Sequence, residues 1–114
     1  MDMESKDRRI ESIRDLNDDF RRTFSGGRVM VTCGVADLPE MVKATALQLV
    51  ASFDDFTDDN DPSGEHDFGN FELVNRTFFW KIDYYDAGCE FGSEEPSAPE
   101  QTTRVLTLML ASEY

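Results

Sequence analysis

The sequence has no long apolar run; nothing in it approaches the roughly 18 apolar residues that a membrane-spanning helix needs. Its first residues are charged from Asp2 onward, which leaves no apolar core for a signal peptide. Both lacks point to a soluble, cytoplasmic protein. Cysteine is scarce: Cys33 and Cys89 are the only two, with no C-x-x-C and no Cys/His pair at metal-ligand spacing. The expectation in a reducing compartment is two free thiols, Cys33 in a strand and Cys89 in a loop. Histidine is scarcer, at one residue. No glycine-rich phosphate loop and no His-x-x-x-His pair accompanies it. Positive charge is the largest deficit, with 11 Lys and Arg against 24 Asp and Glu and a net charge of −13. Phosphate binding needs Lys and Arg, so direct nucleic-acid binding and docking on acidic membranes are excluded for the body of the chain.

What is present suits one domain, residues 1–114. A chain of this size buries roughly two-thirds of its unfolded surface, enough for one core. Hydrophobic residues make up 39% and aromatics 11%, which argues against disorder. The charge is uneven. Residues 1–27, an N-terminal helix segment, hold seven acids and six bases, while residues 28–114, an acidic α+β body, hold seventeen acids and five bases. Such a body attracts cations or a basic protein surface, although acidity also simply keeps a small protein in solution.

Residues 4–24 have helical spacing: Ile10, Ile13, Leu16 or Asn17, Phe20 and Phe24 fall on one face. Glu4 with Arg8, Glu11 with Arg14 and Asp18 with Arg22 make the other face wet and salt-laced. Gly26-Gly27 is expected to stop this helix in the left-handed cap conformation. Arg28–Cys33 alternates as a strand, broken by Gly34. A second helix opens at Asp37-Leu38-Pro39; Met41, Val42, Ala44, Leu47, Leu49, Val50 and Phe53 make it apolar on more than one side and the more buried of the two. Phe68–Val74 and Arg76–Tyr85 read as strands joined near Asn75, with Phe78, Trp80, Ile82 and Tyr84 opposite Phe79, Lys81, Asp83 and Tyr85. Residues 87–101 form a loop. Thr103–Ala111 reads as a strand, with helix as the alternative. The resulting fold class is α+β: a mainly antiparallel sheet of about four strands, with two helices packed on one face.

Asp54–Asp67 is the densest feature: seven of its fourteen residues are carboxylates, none is basic, and it holds the sole histidine. Asp59, Asp61, Ser63, Gly64 and Asp67 mimic positions of a calcium-binding EF-hand loop, but Asn70 stands where a bidentate Glu is needed and Pro62 interrupts it. A looser site for a divalent cation such as calcium or magnesium would draw on Asp58, Asp59, Asp61, Glu65 and Asp67, with Asp59, Asp61 and Asp67 as the core set; no cofactor is the leading expectation. Glu65-His66-Asp67, with Asp83, supplies the residue types of an acid–base site. The same residues also serve as turn formers, since Asp-Pro and Ser-Gly are ordinary turn signals.

Gly34-Val35, Asp54–Thr57, Asn60–Gly69, Trp80–Asp86 and the stretch from Arg104-Val105-Leu106-Thr107 through Glu113-Tyr114 together resemble the bacterial domain-of-unknown-function family numbered 3768. The resemblance covers about residues 17–114. Ser63 departs from it, an aromatic being expected there. The family carries no assigned activity or catalytic residue. It is similar to small genes of alphaproteobacterial chromosomes, plasmids and phages, a setting that implies a protein counteracting defence systems.

The leading expectation is therefore a non-enzymatic, nucleic-acid-mimicking inhibitor of a restriction or CRISPR-type protein. Asp54, Asp55, Asp58, Asp59, Asp61 and Glu65 would meet a basic surface, with Tyr84 or Tyr85 as aromatic anchor. The alternatives are a small metal-dependent or acid–base enzyme centred on Glu65, His66, Asp67 and Asp83, and a structural or regulatory subunit whose apolar sheet edge pairs with itself. Monomer and homodimer both remain open.

Overall fold

The computed structural model describes residues 3–114, with side chains from Ser5 onward. Helix α1 spans Met3–Thr23, strand β1 Gly27–Val31, helix α2 Cys33–Ala36 and helix α3 Glu40–Ser52. Strands β2 (Phe68–Leu73), β3 (Arg76–Tyr85) and β4 (Thr103–Leu110) follow, with short 3-10 turns at Pro99–Gln101 and Ala111–Glu113. The four strands form one open sheet in the order β1-β4-β3-β2. β2–β3 and β3–β4 pair antiparallel, whereas β1 lies parallel to β4. The fold is α+β, with three helices rather than two. Among the described residues no helix is long and apolar enough to cross a membrane.

α1 buries Ile13, Asn17, Phe20 and Arg21, so its inner face is a mixed one. It ends earlier than the glycines suggest. Phe24 takes the left-handed conformation (φ 55°) and its N–H closes onto the Phe20 carbonyl at 2.6 Å. Gly26, also at positive φ (90°), only continues the turn. Gly27 is needed for a different reason: a Cβ there would stand 2.6 Å from the Arg104 carbonyl oxygen and 2.8 Å from the Phe20 ring. The expected ion pairs also shift. Asp18 binds Arg21 and not Arg22, which approaches Asp19, and Arg14 donates to the Gly64 carbonyl. The Glu4–Arg8 pair lies outside the described residues.

Cys33 was expected in a strand, but it opens α2. The cause sits at the far end of the chain. The Glu113 carboxylate accepts from the Thr32 hydroxyl (2.6 Å), the Gly34 N–H (3.0 Å) and the Leu110 N–H (2.9 Å), fixing the chain in a turn where the strand would otherwise run on. These bonds, the Thr32 hydroxyl first, hold the Glu113 carboxyl below its usual range. Cys33 and Cys89 are both free thiols.

α3 starts after Pro39 instead of at Asp37 and buries only Ala46 and Val50, while Met41 is 83% exposed. Its Val42 and Leu47 pack, partly buried, against the same core. Its C-terminal end is completed by α1: the buried Arg21 donates to the carbonyls of Val50 (3.0 Å) and Phe53 (2.6 Å). A cation at a helix C-terminus satisfies orphan carbonyls and opposes the helix dipole.

β2 and β3 are joined by Val74 and Asn75, both at positive φ (49° and 61°). That is the type I′ geometry whose twist suits a two-residue hairpin. In β3, Phe78, Trp80 and Ile82 face the core, opposite Leu110, Leu108 and Leu106 of β4. The same cluster takes in Phe20, Val35, Ala46 and Val50. Trp80 lies over Gly69, its register partner in β2, where a Cβ would come within 2.5 Å of the indole nitrogen. On the other face Phe79 packs against Phe68 and Tyr114, with ring centroids 5.5 and 5.2 Å away.

Candidate functional site

The acidic loop is anchored by an aromatic residue at its centre. Phe56 is flanked by Asp54-Asp55 on one side and, after Thr57, Asp58-Asp59 on the other. Its ring stacks on His66 (3.7 Å between centroids, 3° between planes) and meets Phe53 edge-on at 4.9 Å. The Arg21 guanidinium lies 5.3 Å from the Phe56 centroid, within cation–π range. With Phe56 turned inward, Asp54, Asp55, Asp58 and Asp59 are all exposed. None of them takes part in an ion pair among the described residues. Asn60 fixes the backbone between them. Its side-chain oxygen accepts from the Thr57 N–H (2.9 Å), and its amide donates to the Asp55 carbonyl (2.8 Å).

The second half of the loop folds back onto α1. Asp61 is buried, and its carboxylate accepts from the His66 N–H at 3.1 Å. His66 holds positive φ (55°), an uncommon conformation for a non-glycine residue. Its Nδ1 lies 3.0 Å from Asp18 Oδ1, and its Nε2 lies 3.7 Å from Asp61 Oδ2. Asp18 also receives Arg21 at 2.8 Å, so one carboxylate of α1 joins the histidine to the buried arginine.

Beside this clamp runs a second chain of bonds. Asn17, fully buried, accepts from Arg104 Nε (2.7 Å) and donates to the Glu65 carbonyl (2.9 Å) and the Tyr84 hydroxyl (2.7 Å). The Tyr84 hydroxyl in turn donates to Glu65 Oε1 at 2.7 Å. Burial above all, with the bond to Glu65, pushes the Tyr84 phenol up, and burial lowers Arg104. Arg104 lies 5.2 Å from the centroid of the Tyr84 ring and donates to the Pro96 carbonyl, which ties the 87–101 loop to the same network. Asp67 is the most perturbed carboxyl of moderate value. Burial first, then the Glu65 charge, with Asp61 and Asp83 adding, pushes it up to about 6.

The structure therefore divides the sequence-read sites. Asp54, Asp55, Asp58 and Asp59 stand at the surface. Asp61, Glu65 and Tyr84 are engaged within the molecule, and Tyr85 is 36% exposed. Glu65 turns to Tyr84 and His66 to Asp18, while Asp83 sits on the other face of β3, paired with Lys81 at 3.0 Å. That pair lines a groove of 510 Å³ with Thr107, Met109 and Tyr114, remote from the histidine clamp. Asp59, Asp61 and Asp67 are not brought together: among the described residues no group of three or more His, Cys, Asp or Glu side chains is placed to hold a metal ion. Two residues escaped the sequence reading. Phe56 carried a signal, as an aromatic isolated between paired acids. Arg21 carried none, because nothing in α1 marks which arginine will be covered.

No curated protein and no solved structure matches the chain. One family does, over residues 31–113, and its description is a protein of unknown function, DUF3768. The match begins within β1, later than residue 17, so α1 and its side of the clamp lie outside it. Over most of its length, from β1 to the Glu113 cap, this chain belongs to the DUF3768 family.

Proposed function

We propose that the chain is a small acidic binding protein that inhibits a nucleic-acid-processing protein of restriction or CRISPR type. Asp54, Asp55, Asp58 and Asp59 would occupy a groove lined with Lys and Arg in place of phosphates. One observation carries the reading: four exposed carboxylates without cationic partners among the described residues fan out around a single half-buried ring, Phe56, stacked on His66. A loop held this way loses little conformational entropy on binding, and its field steers a basic partner towards it.

The test is competition with labelled duplex DNA for such an effector, followed by fluorescence anisotropy. The wild-type chain should displace the DNA, and less so as salt is raised. Replacing all four aspartates with asparagine should weaken displacement about thirtyfold to a thousandfold, as four charge contacts of about 0.5–1 kcal/mol each would. Displacement that ignores both salt and the four substitutions sinks the proposal.

An acid–base enzyme centred on the Glu65-His66-Asp67 loop has one observation in its favour. The Asp67 carboxyl, pushed up to about 6, lies where a general acid is useful near neutral pH. In that case Asp67→Asn would abolish turnover, whereas it would leave displacement by the surface aspartates unchanged.

A further inference from the structure

We infer that the free edge of β1 pairs with β1 of a second copy of this chain, antiparallel about a two-fold axis at Val29. β1 is an edge of the sheet, and all five of its residues are exposed. The Thr32 N–H donates inward, to the Leu108 carbonyl of β4. Main-chain groups alternate in direction along a strand. The N–H and C=O groups of Arg28 and Met30 thus point towards β4, and those of Gly27, Val29 and Val31 point to the open side. In antiparallel pairing centred on Val29, each of those three residues exchanges bonds with its counterpart, about six bonds in all.

The side chains fit the same register. Val29 and Val31 are register partners of Leu106 and Leu108 and continue the core-side row of the sheet, yet they are 36% and 40% exposed. A second copy would extend that row across the axis. Edge strands of monomers are ordinarily blunted by charge, proline or bulges. The opposite edge, β2, carries Glu72; β1 carries one charge, Arg28, beside an uncharged Val29-Met30-Val31 run.

Charge decides between a second copy and other occupants. Two chains of net charge −13 repel each other over most of their surface. Residues 20–36 contain no carboxylate and carry Arg21, Arg22 and Arg28, so the β1 edge sits in the longest acid-free stretch of the chain. In the register given, Arg28 faces Met30 of the second copy and not its Arg28, so no like charges are opposed.

Sedimentation velocity on the full chain tests this. Dimer should form and should strengthen with added salt, because screening removes repulsion; the effector complex proposed above should weaken. Val29→Pro removes only an outward N–H, a change a free edge tolerates, and Val29→Lys places a charge on the axis. Either should leave a folded monomer. If both fail to fold, Val29→Cys in a Cys33→Ser, Cys89→Ser background gives the reading: a hydrogen-bonded antiparallel pair holds its Cα atoms about 5.5 Å apart, within disulfide reach, so oxidation should yield a covalent dimer. A chain that stays monomeric at about 100 μM in high salt overturns the inference. So does a dimer untouched by both Val29→Pro and Val29→Lys.

Discussion

Asp67→Asn should make the protein more stable at neutral pH, although it deletes a native side chain. The Asp67 carboxyl is pushed up from 3.8 to about 6 in the folded chain, with burial the largest cause and the Glu65 charge next. The folded state therefore holds this proton more tightly than the unfolded state. Below 3.8 the group is neutral in both states and costs nothing. As pH rises towards 6 the unfolded chain ionises first, and stability falls; above 6 the full cost is present. At about 1.4 kcal/mol per pH unit the shift corresponds to about 3 kcal/mol. Solvent screening of a carboxyl that is only partly buried reduces this to about 1–2 kcal/mol. Asparagine keeps the shape without the charge. Urea denaturation followed by fluorescence of Trp80, the one tryptophan and fully buried, gives both curves. The other carboxylates cancel in the difference between variant and wild type. The difference should be near zero at pH 4 and reach about 1–2 kcal/mol in favour of asparagine at pH 7.5. An equal difference at both pH values, or a less stable variant at pH 7.5, would refute the reasoning.

Three further outcomes are expected. Asn17→Ala should cost about 3 kcal/mol in denaturant titration, because it strands the Arg104 guanidinium and the Tyr84 hydroxyl without their buried partner. Replacing Val74-Asn75 with Asn-Gly should raise stability by about 1 kcal/mol, since a β-branched residue is strained at the positive φ of a type I′ turn; an unchanged urea midpoint would contradict the turn assignment. Glu113→Gln should lower stability at pH 7 and lose its effect in acid: a carboxyl held below its usual range stabilises above its unfolded pKa, and that contribution disappears as pH falls through the folded value. Hydrogen exchange at Gly34 would report the same loss locally.

The elements that periodicity and turn chemistry define locally were legible in the sequence. The β2–β3 pair with its turn at Asn75, the alternation of Phe78, Trp80, Ile82 and Tyr84, and the strand from Thr103 all follow from nearest-neighbour patterns. The acidic stretch was legible in part: Asp-Pro and Ser-Gly mark its second half as turns, yet Asp61 and Glu65, expected at the partner surface, are engaged within the molecule. What stayed hidden depends on partners distant in sequence. Cys33 leaves the strand because of Glu113, Asp18 turns from Arg22 to Arg21 and His66, and α3 is finished by a side chain of α1. Helical spacing left Leu16 or Asn17 for the inner face and could not say that Asn17 would be the hub joining Arg104, Tyr84 and the Glu65 backbone. Parallel pairing of β1 with β4 was equally out of reach, since no turn connects them.

That pairing also sets an order of events. The β2–β3 hairpin closes through a two-residue turn, and β4 adds to it across the 87–101 loop. β1, made early, finds its neighbour in β4, the last of the four described strands. Closing so long a loop is entropically costly and slow relative to the hairpin. During synthesis the first strand therefore waits, unpaired, until β4 has been made, and α1 must hold its own shape or find another contact in the interval. The sheet is completed from its C-terminal side backwards, and β1 is the last of its strands to acquire a fixed place.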